Sequence, residues 1–87
     1  MMVTWRTLIA EEMSLHDEPW EDIIACAPKE IDWDKEFYDG YGSCEGQPFT
    51  VWTKERVYFP TCYDGSEDVA SVPRNPCNKV TEHIGGG

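Results

Sequence analysis

The stretch "PFTVWTKERVYFPTCYDGSEDVASVP", residues 48–73, decides the fold. Three of its segments, 48–53, 56–63 and 68–73, are rich in the β-branched and aromatic side chains that favour strands. Lys54 and Glu55 separate the first two segments, and an Asp64-Gly65 turn precedes the third. The pattern predicts a three-stranded antiparallel meander over residues 47–74. Pro60 predicts a bulge or an early strand end, because proline cannot donate a backbone hydrogen bond within a central strand.

The residues before this stretch predict two helices. Thr4 is the expected N-cap of the first helix, whose apolar residues recur at helical spacing. Those residues are Trp5, Leu8, Ile9 and Met13. The second helix is expected to begin at Pro19 and to end at Pro28, with Glu18 and Glu21 near its positive N-terminal end. Its apolar stripe is Trp20, Ile23, Ile24 and Ala27.

These elements predict one α+β domain over residues 1–87, with two N-terminal helices packed on one face of a small three-stranded antiparallel β-meander. Residues 1–28 form the expected helical hairpin, and 29–46 an acidic loop that contains glycines. Residues 47–74 form the meander, and 75–87 a flexible tail. Hydrophobic content of 40% and aromatic content of 13% are too high for an acidic disordered chain, so we expect a folded protein.

The charge of the chain predicts a basic partner. Seventeen acids against seven bases give a formal net charge of -10. Eleven of the acids lie in residues 1–39, which hold only three bases, so the negative field belongs to the N-terminal part. Such a field repels nucleic acid and anionic lipid and attracts basic surfaces. Direct binding of nucleic acid or of a membrane is therefore not expected.

The N-terminus and the cysteines predict a cytoplasmic protein. The first residues do not have the pattern of a secretory signal, and no apolar run is long enough to span a membrane. Without an export signal, the four cysteines Cys26, Cys44, Cys62 and Cys77 are expected to be reduced. Two disulfides remain the alternative, and the absence of a CxxC pair argues against a structural zinc site.

The sequence contains no motif of a known catalytic site. His16 lies in the turn after the first helix and His83 near the glycine tail, and neither belongs to a recognisable Ser/His/Asp or Cys/His arrangement. No phosphate-binding glycine loop is present. We therefore expect a protein that is not an enzyme and needs no cofactor.

A calcium loop is the alternative use of the central acids. A loop that begins at Asp34 has Glu36 at its third position, Tyr38 at its fifth and Glu45 at its twelfth. The sixth position should be glycine for the sharp turn, but it is Asp39. A small metal-binding module centred on residues 34–45 thus departs from the known pattern at its fifth position, where Tyr38 replaces an oxygen ligand of fitting length, and at its sixth, where the glycine is missing.

The acids themselves are the candidate partner-binding residues. On a helix, residues three and four apart lie about 5 to 6 Å from each other, close to the separation of phosphates on one nucleic-acid strand. The predicted acidic row consists of Asp17, Glu18, Glu21, Asp22, Asp32, Asp34 and Glu36. Exposed aromatic residues are the alternative anchors, and the candidates are Trp33, Tyr38, Tyr41 and Trp52.

A short, compact, acidic chain with no catalytic motif resembles the small phage-encoded inhibitors of bacterial defence, which include anti-CRISPR and anti-restriction proteins that mimic DNA. The segment "EGQPFTVWTKERVYFPTCYDG", residues 45–65, is also similar in character to small phage proteins. The resemblance implies an inhibitor in the host bacterial cytoplasm that occupies the basic surface of a nucleic-acid-handling protein or CRISPR effector complex. It assigns no site residues. The alternatives are an assembly protein that acts through its sheet edge and the metal-binding module.

Overall fold

A computed structural model of the chain describes residues 2–38, 46–63 and 66–84. These residues form one α-helix, one 3₁₀ turn and two antiparallel sheets. The elements in chain order are β1 (Met2–Val3), α1 (Trp5–Leu15), the 3₁₀ turn (Trp20–Asp22), β2 (Ala25–Ala27), β3 (Phe37–Tyr38), β4 (Thr50–Trp52), β5 (Arg56–Tyr63) and β6 (Ser66–Pro73). Strands β1 and β3 form the smaller sheet, and the larger sheet has the order β2-β4-β5-β6.

The predicted fold of two helices on a three-stranded meander is wrong, because the second helix is absent and the strands form one sheet of two and one of four. Its residues form a single 3₁₀ turn and then strand β2, in which Ala25 pairs with Trp52 and Ala27 with Thr50. A helix between Pro19 and Pro28 is shorter than the roughly 12 to 15 residues that an isolated helix needs. The β-branched pair Ile23 and Ile24 also weakens it. Pairing with β4 instead joins this segment to the larger sheet, and the N–H of Ile24 donates to the carbonyl of Trp52 at 2.8 Å.

The first helix has the predicted cap and buried face. Thr4 accepts a hydrogen bond from the backbone N–H of Thr7, and the four apolar residues predicted to face the core are buried. They are Trp5, Leu8, Ile9 and Met13. The prediction of this helix is confirmed. Its two signals, the Thr4 cap and the spacing of the apolar residues, depend only on residues that are close together in the chain.

Asp17 follows His16, the C-cap of α1, and has a backbone conformation that cannot continue the helix. Its φ of 56° lies in the left-handed region. The N–H of Asp17 donates to the carbonyl of Ser14 at 3.2 Å, and the N–H of Glu18 donates to that of Met13 at 3.0 Å. These two bonds form a Schellman motif, in which glycine usually takes the left-handed position.

Pro60 lies inside β5 without a bulge or an early end, contrary to the expectation. Val51 of β4 pairs with Tyr58, so the register places Pro60 beyond the last residue of β4. Toward β6, Pro60 lies opposite Val69, whose N–H is bonded to the side chain of Asp68 at 2.8 Å. The missing N–H of the proline therefore costs no ladder bond.

The larger sheet has two different faces. Helix α1 covers the face that carries Val51, Tyr58 and Val69, and these residues form one core with Phe37, Phe49 and the buried residues of α1. Because side chains alternate along a strand, the residues between them point away from the helix. We call this second side the outer face. Its residues are Ala25, Ala27, Thr50, Trp52, Val57, Phe59, Thr61, Ser66, Asp68, Ala70 and Val72.

Gly46 lies where α1 and β6 leave no room for a side chain. A Cβ at this position would be 2.5 Å from Cζ2 of Trp5 and 2.7 Å from Oε1 of Glu67. The N–H of Gly46 donates to both carboxylate oxygens of the buried Glu67, at 2.9 and 3.0 Å. A glycine is required here because any other residue would push these groups apart.

Cys62 is in a disulfide, whereas Cys26 and Cys77 are free thiols. The expectation of reduced cysteines is therefore wrong for Cys62, since it depended on the absence of an export signal and not on the distances between thiols. Cys44 lies outside the described residues. Among the helices that the structure describes, none has the length and apolar character needed to cross a bilayer.

Candidate partner-binding surface

Two acid-rich segments that are separate in the sequence, residues 17–22 and 30–36, lie side by side next to α1. Trp20 from the first segment and Trp33 from the second make an edge-to-face contact, with ring centroids 6.2 Å apart. Both tryptophans are half-buried and pack against the core. We call the exposed carboxylates of these segments the acidic surface. They are Asp17, Glu21, Asp22, Glu30, Asp32, Asp34 and Glu36.

Arg6 of α1 ties the two segments together. Its guanidinium lies 4.9 Å from the centre of the Trp20 ring and donates to both carboxylate oxygens of Asp34, at 2.7 and 3.2 Å. The N–H of Arg6 also donates to the carbonyl of Trp33 at 2.9 Å. One residue of the helix therefore fixes a ring from the first segment and a carboxylate from the second.

The same contact changes the titration of both partners. The hydrogen bond from Arg6 lowers the pKa of Asp34 below its ordinary value, and the bond to Asp34 raises the pKa of Arg6. Because Asp34 is neutralised by Arg6, it contributes less to the negative field than its exposure suggests. Asp32 has a local role as well, since its side chain accepts the N–H of Asp34 at 3.1 Å.

Glu18 is not part of the acidic surface. Its carboxylate accepts a hydrogen bond from the hydroxyl of Tyr58, a fully buried residue of β5. Burial, and next the bond to Glu18, raise the pKa of Tyr58 above its ordinary value. Glu18 therefore anchors the turn after α1 to the sheet. The predicted row at helical spacing is also wrong in its geometry, because residues 17–22 are not an α-helix.

The four aromatic candidates are in different places. Trp33 packs against the core, while Tyr38 in β3 is 43% exposed. Trp52 is half-buried on the outer face, away from the acidic surface. Tyr41 lies outside the described residues. The structure thus does not assemble these aromatic residues into one patch among the residues it describes.

A polar cleft of about 540 Å³ lies between the end of α1, the start of β5 and the C-terminal segment. Its lining includes Asp22, Glu55, Arg56 and Lys79. Both signs of charge therefore face the cleft, and Asp22 connects it to the acidic surface.

The polar residues beside this cleft do not form a catalytic triad. Ser71 donates to Glu12 at 3.4 Å, and Nε2 of His16 lies 3.1 Å from the same carboxylate oxygen. A triad needs the histidine between the hydroxyl and the carboxylate, but here the carboxylate is in the middle. Arg56 further occupies the Ser71 hydroxyl by donating to it at 2.8 Å. The serine therefore has no adjacent histidine base.

The calcium loop falls partly on residues 39–45, which lie outside the described residues and include Asp39 and Glu45. Within the part of the chain that the structure describes, no three His, Cys, Asp or Glu side chains lie close enough to hold a metal ion. Asp34 is already bonded to Arg6. The described residues thus supply no metal site to support the alternative.

Comparisons of the chain with protein-family models, with curated proteins and with solved structures gave no match.

Sequence reasoning missed the residues that organise this surface. Arg6 was one of three bases in residues 1–39 and Tyr58 was one aromatic residue in a predicted strand, so neither had a distinguishing local signal. The apolar stripe predicted from the sequence contains Trp20, but the sequence predicts an exposed anchor at Trp33, its partner in the fold. Only the packing of the chain brings these residues together.

Proposed function

We propose that this protein is a non-enzymatic binding protein whose acidic surface occupies the basic nucleic-acid-binding surface of another protein. The proposed target is a bacterial defence complex, so that the protein acts as a phage inhibitor of the anti-CRISPR or anti-restriction type in the host cytoplasm. The target class follows from the resemblance of type, and the mode of binding follows from the acidic surface.

One observation carries this proposal, which is the joining of the two acid-rich segments by Trp20, Trp33 and Arg6. The acidic surface has seven carboxylates, of which Asp34 is bonded to Arg6, and residues 17–36 hold only Lys29 and Lys35 as bases. Carboxylates that are fixed on a folded surface attract a basic partner with a smaller ordering cost than carboxylates on a disordered tail. The surface supports recognition by charge, with an irregular spacing of carboxylates in place of the regular row of a helix.

Assembly through the sheet edge is less well supported. Strand β6 is the long edge strand, but the N–H of Val69 is bonded to the side chain of Asp68, and the carbonyl of Ser71 accepts from Arg56 at 3.2 Å. Side-chain bonds to edge groups compete with pairing to a strand of another protein.

The test is a pull-down from bacterial lysate with the purified protein as bait, at low and high salt, followed by mass spectrometry. We expect recovery of a nuclease or CRISPR complex at low salt, and we expect added DNA to displace it, because both compete for the same basic surface. Recovery of no DNA-handling protein at either salt would contradict the proposal.

Charge reversal at matched positions sharpens this test. The variant Glu21→Lys/Glu36→Lys changes two exposed carboxylates that make no hydrogen bond needed for the fold. The control Glu55→Lys/Glu82→Lys makes the same change of charge outside the acidic surface. Only the first variant should lose the partner. An equal loss in both would mean that net charge, and not this surface, controls binding. Glu18 is left unchanged because it anchors Tyr58.

A further inference from the structure

The outer face of the larger sheet is almost free of charge. More than a quarter of the residues in the chain are charged. Among the described residues of this face, by contrast, Asp68 alone carries a charge, and its carboxylate accepts the N–H of Val69. The centre of the face is formed by Trp52, Val57, Phe59 and Val72, all half-buried and none packed against the core.

The charges around this face differ from those of the acidic surface. At the end of the sheet where β4 turns into β5, Lys54 and Glu55 are exposed. Arg74 joins them there, since its N–H donates to the carbonyl of Glu55 at 2.8 Å and its side chain to that of Thr53 at 2.9 Å. This border contains both signs of charge. It is therefore compatible with its own copy in a two-fold arrangement, in which basic residues of one copy meet acidic residues of the other.

We infer that the outer face is a self-association surface, on which a second copy of this chain packs sheet to sheet. The acidic surface lies on the helix side, so in such a dimer the two acidic surfaces point outward. Sheets that pack face to face lie about 10 Å apart. Each acidic surface lies on the far side of its own sheet, so the two acidic surfaces are farther apart than this spacing. The spacing already exceeds the Debye length of about 8 Å at physiological salt, so the two acidic surfaces repel each other only weakly.

The size of the face limits the strength of the dimer. Strands β5 and β6, with eight residues each, are about 27 Å long, and β2 and β4, with three residues each, are about 10 Å long; at a strand spacing of about 4.8 Å they give roughly 350 Å² per copy. Stable complexes bury about 800 Å² per partner. We therefore expect a weak dimer with a dissociation constant of about 10 µM to 1 mM.

Sedimentation equilibrium of the purified full chain tests this inference. Loading concentrations from about 5 µM to about 2 mM span the expected dissociation constant. The weight-average mass should rise with concentration toward that of a dimer. The rise should be similar in about 0.05 M and about 0.5 M NaCl, because salt screens both the attraction between the mixed-charge borders and the weak repulsion between the acidic surfaces, while the apolar contact remains. A monomer over the whole range at both salt concentrations would overturn the inference.

Two charged substitutions on the face and one control locate the contact. Phe59→Lys and Val72→Lys each place a charge in the interface. We expect either substitution to raise the dissociation constant of the dimer about tenfold or more. Leu15→Lys is the control, since Leu15 is 75% exposed on the helix side and its replacement should leave association unchanged. Association that persists in both face variants, or weakens equally in the control, would show that another surface pairs.

A thermal melt of each variant separates loss of the interface from loss of the fold, and Val72→Lys at the end of β6 serves where Phe59→Lys does not fold. The experiment uses no partner protein. Its outcome is therefore independent of whether the acidic surface binds a defence complex.

Discussion

Tyr58 and Phe59 are neighbours in β5, but they lie on opposite faces of the same sheet. The side chain of Tyr58 is fully buried against α1 and donates to Glu18, whereas Phe59 is half-buried on the outer face and is not packed against the core. The helix side combines the core with the acidic surface, and the outer face is apolar and nearly uncharged. The difference shows that stability and charge are concentrated on one side of this small domain.

Replacement of a tryptophan on each side should give the largest difference. Trp5 is 2% exposed, contacts the rings of Phe37 and Phe49 and donates from its indole to the carbonyl of Gln47 at 3.0 Å. We expect Trp5→Ala to cost about 3 to 5 kcal/mol of unfolding free energy, and Trp52→Ala about 1 kcal/mol. Chemical denaturation measures both. Equal losses would mean that the outer face is packed as tightly as the helix side.

Substitution at Gly46 should have the next largest effect. In Gly46→Ala, the new Cβ would meet Trp5 and Glu67 at distances that no real Cβ contact shows, so the loop or the helix must move. We expect a loss of about 1 to 3 kcal/mol, measured by urea denaturation. Ala70→Gly, a one-methyl change on the outer face, should cost only about 0.5 to 1 kcal/mol, the ordinary penalty of a glycine within a strand. A Gly46→Ala protein with unaltered stability would refute the close packing of this loop.

The bond between Tyr58 and Glu18 predicts a dependence on alkaline pH. The pKa of Tyr58 is raised in the folded protein, whereas in the unfolded chain it is about 10. The stability that this group contributes is thus fully present below pH of about 10 and is lost as the pH rises further, because only the unfolded chain then releases the proton. Tyr58→Phe should cost about 1 to 2 kcal/mol at neutral pH.

Melting temperatures of the wild type and Tyr58→Phe, measured from neutral to alkaline pH, test this dependence. The difference between the two proteins should narrow above the ordinary tyrosine pKa. Phe59→Leu, which alters the neighbouring residue on the outer face, should follow the pH profile of the wild type. A constant difference between wild type and Tyr58→Phe would contradict the raised pKa.

Asp17→Gly should give the smallest effect, with the opposite sign. Asp17 has the left-handed conformation that glycine adopts without strain. We expect a gain of up to about 1 kcal/mol in unfolding free energy, partly offset by the greater freedom of glycine in the unfolded chain. Asp17→Ala is the comparison, since it also removes the charge but keeps the Cβ. It should destabilise the protein, and a gain in both variants would attribute the effect to charge.

The sequence predicted those parts of the fold whose signals are local. The cap at Thr4 and the spacing from Trp5 to Met13 identified α1, and β-branched and aromatic residues identified the three segments that became β4, β5 and β6. Strand β2 was not predicted, because the stripe from Trp20 to Ala27 also fits a helix. Its pairing with β4 joins segments that are far apart in the chain.

The candidate site shows the same limit. Composition located the acidic segments, but it treated Glu18 and Asp34 as equivalent to the other carboxylates. The fold engages Glu18 with Tyr58, forty residues away, and Asp34 with Arg6, twenty-eight residues away. The exposed fraction of a side chain does not by itself identify such a structural role, because Asp34 is bonded to Arg6 and still remains exposed.

By itself, the sequence determined an acidic domain that begins with an amphipathic helix and continues with strands, since charge and short-range periodicity are properties of neighbouring residues. The tertiary structure alone decided that residues 18–28 become a turn and an edge strand, and that the two acid-rich segments meet at Trp20 and Trp33. It also decided that the apolar residues of the outer face do not join the core. These outcomes depend on contacts between distant residues, whose free energy exceeds the small local preferences of the segments involved.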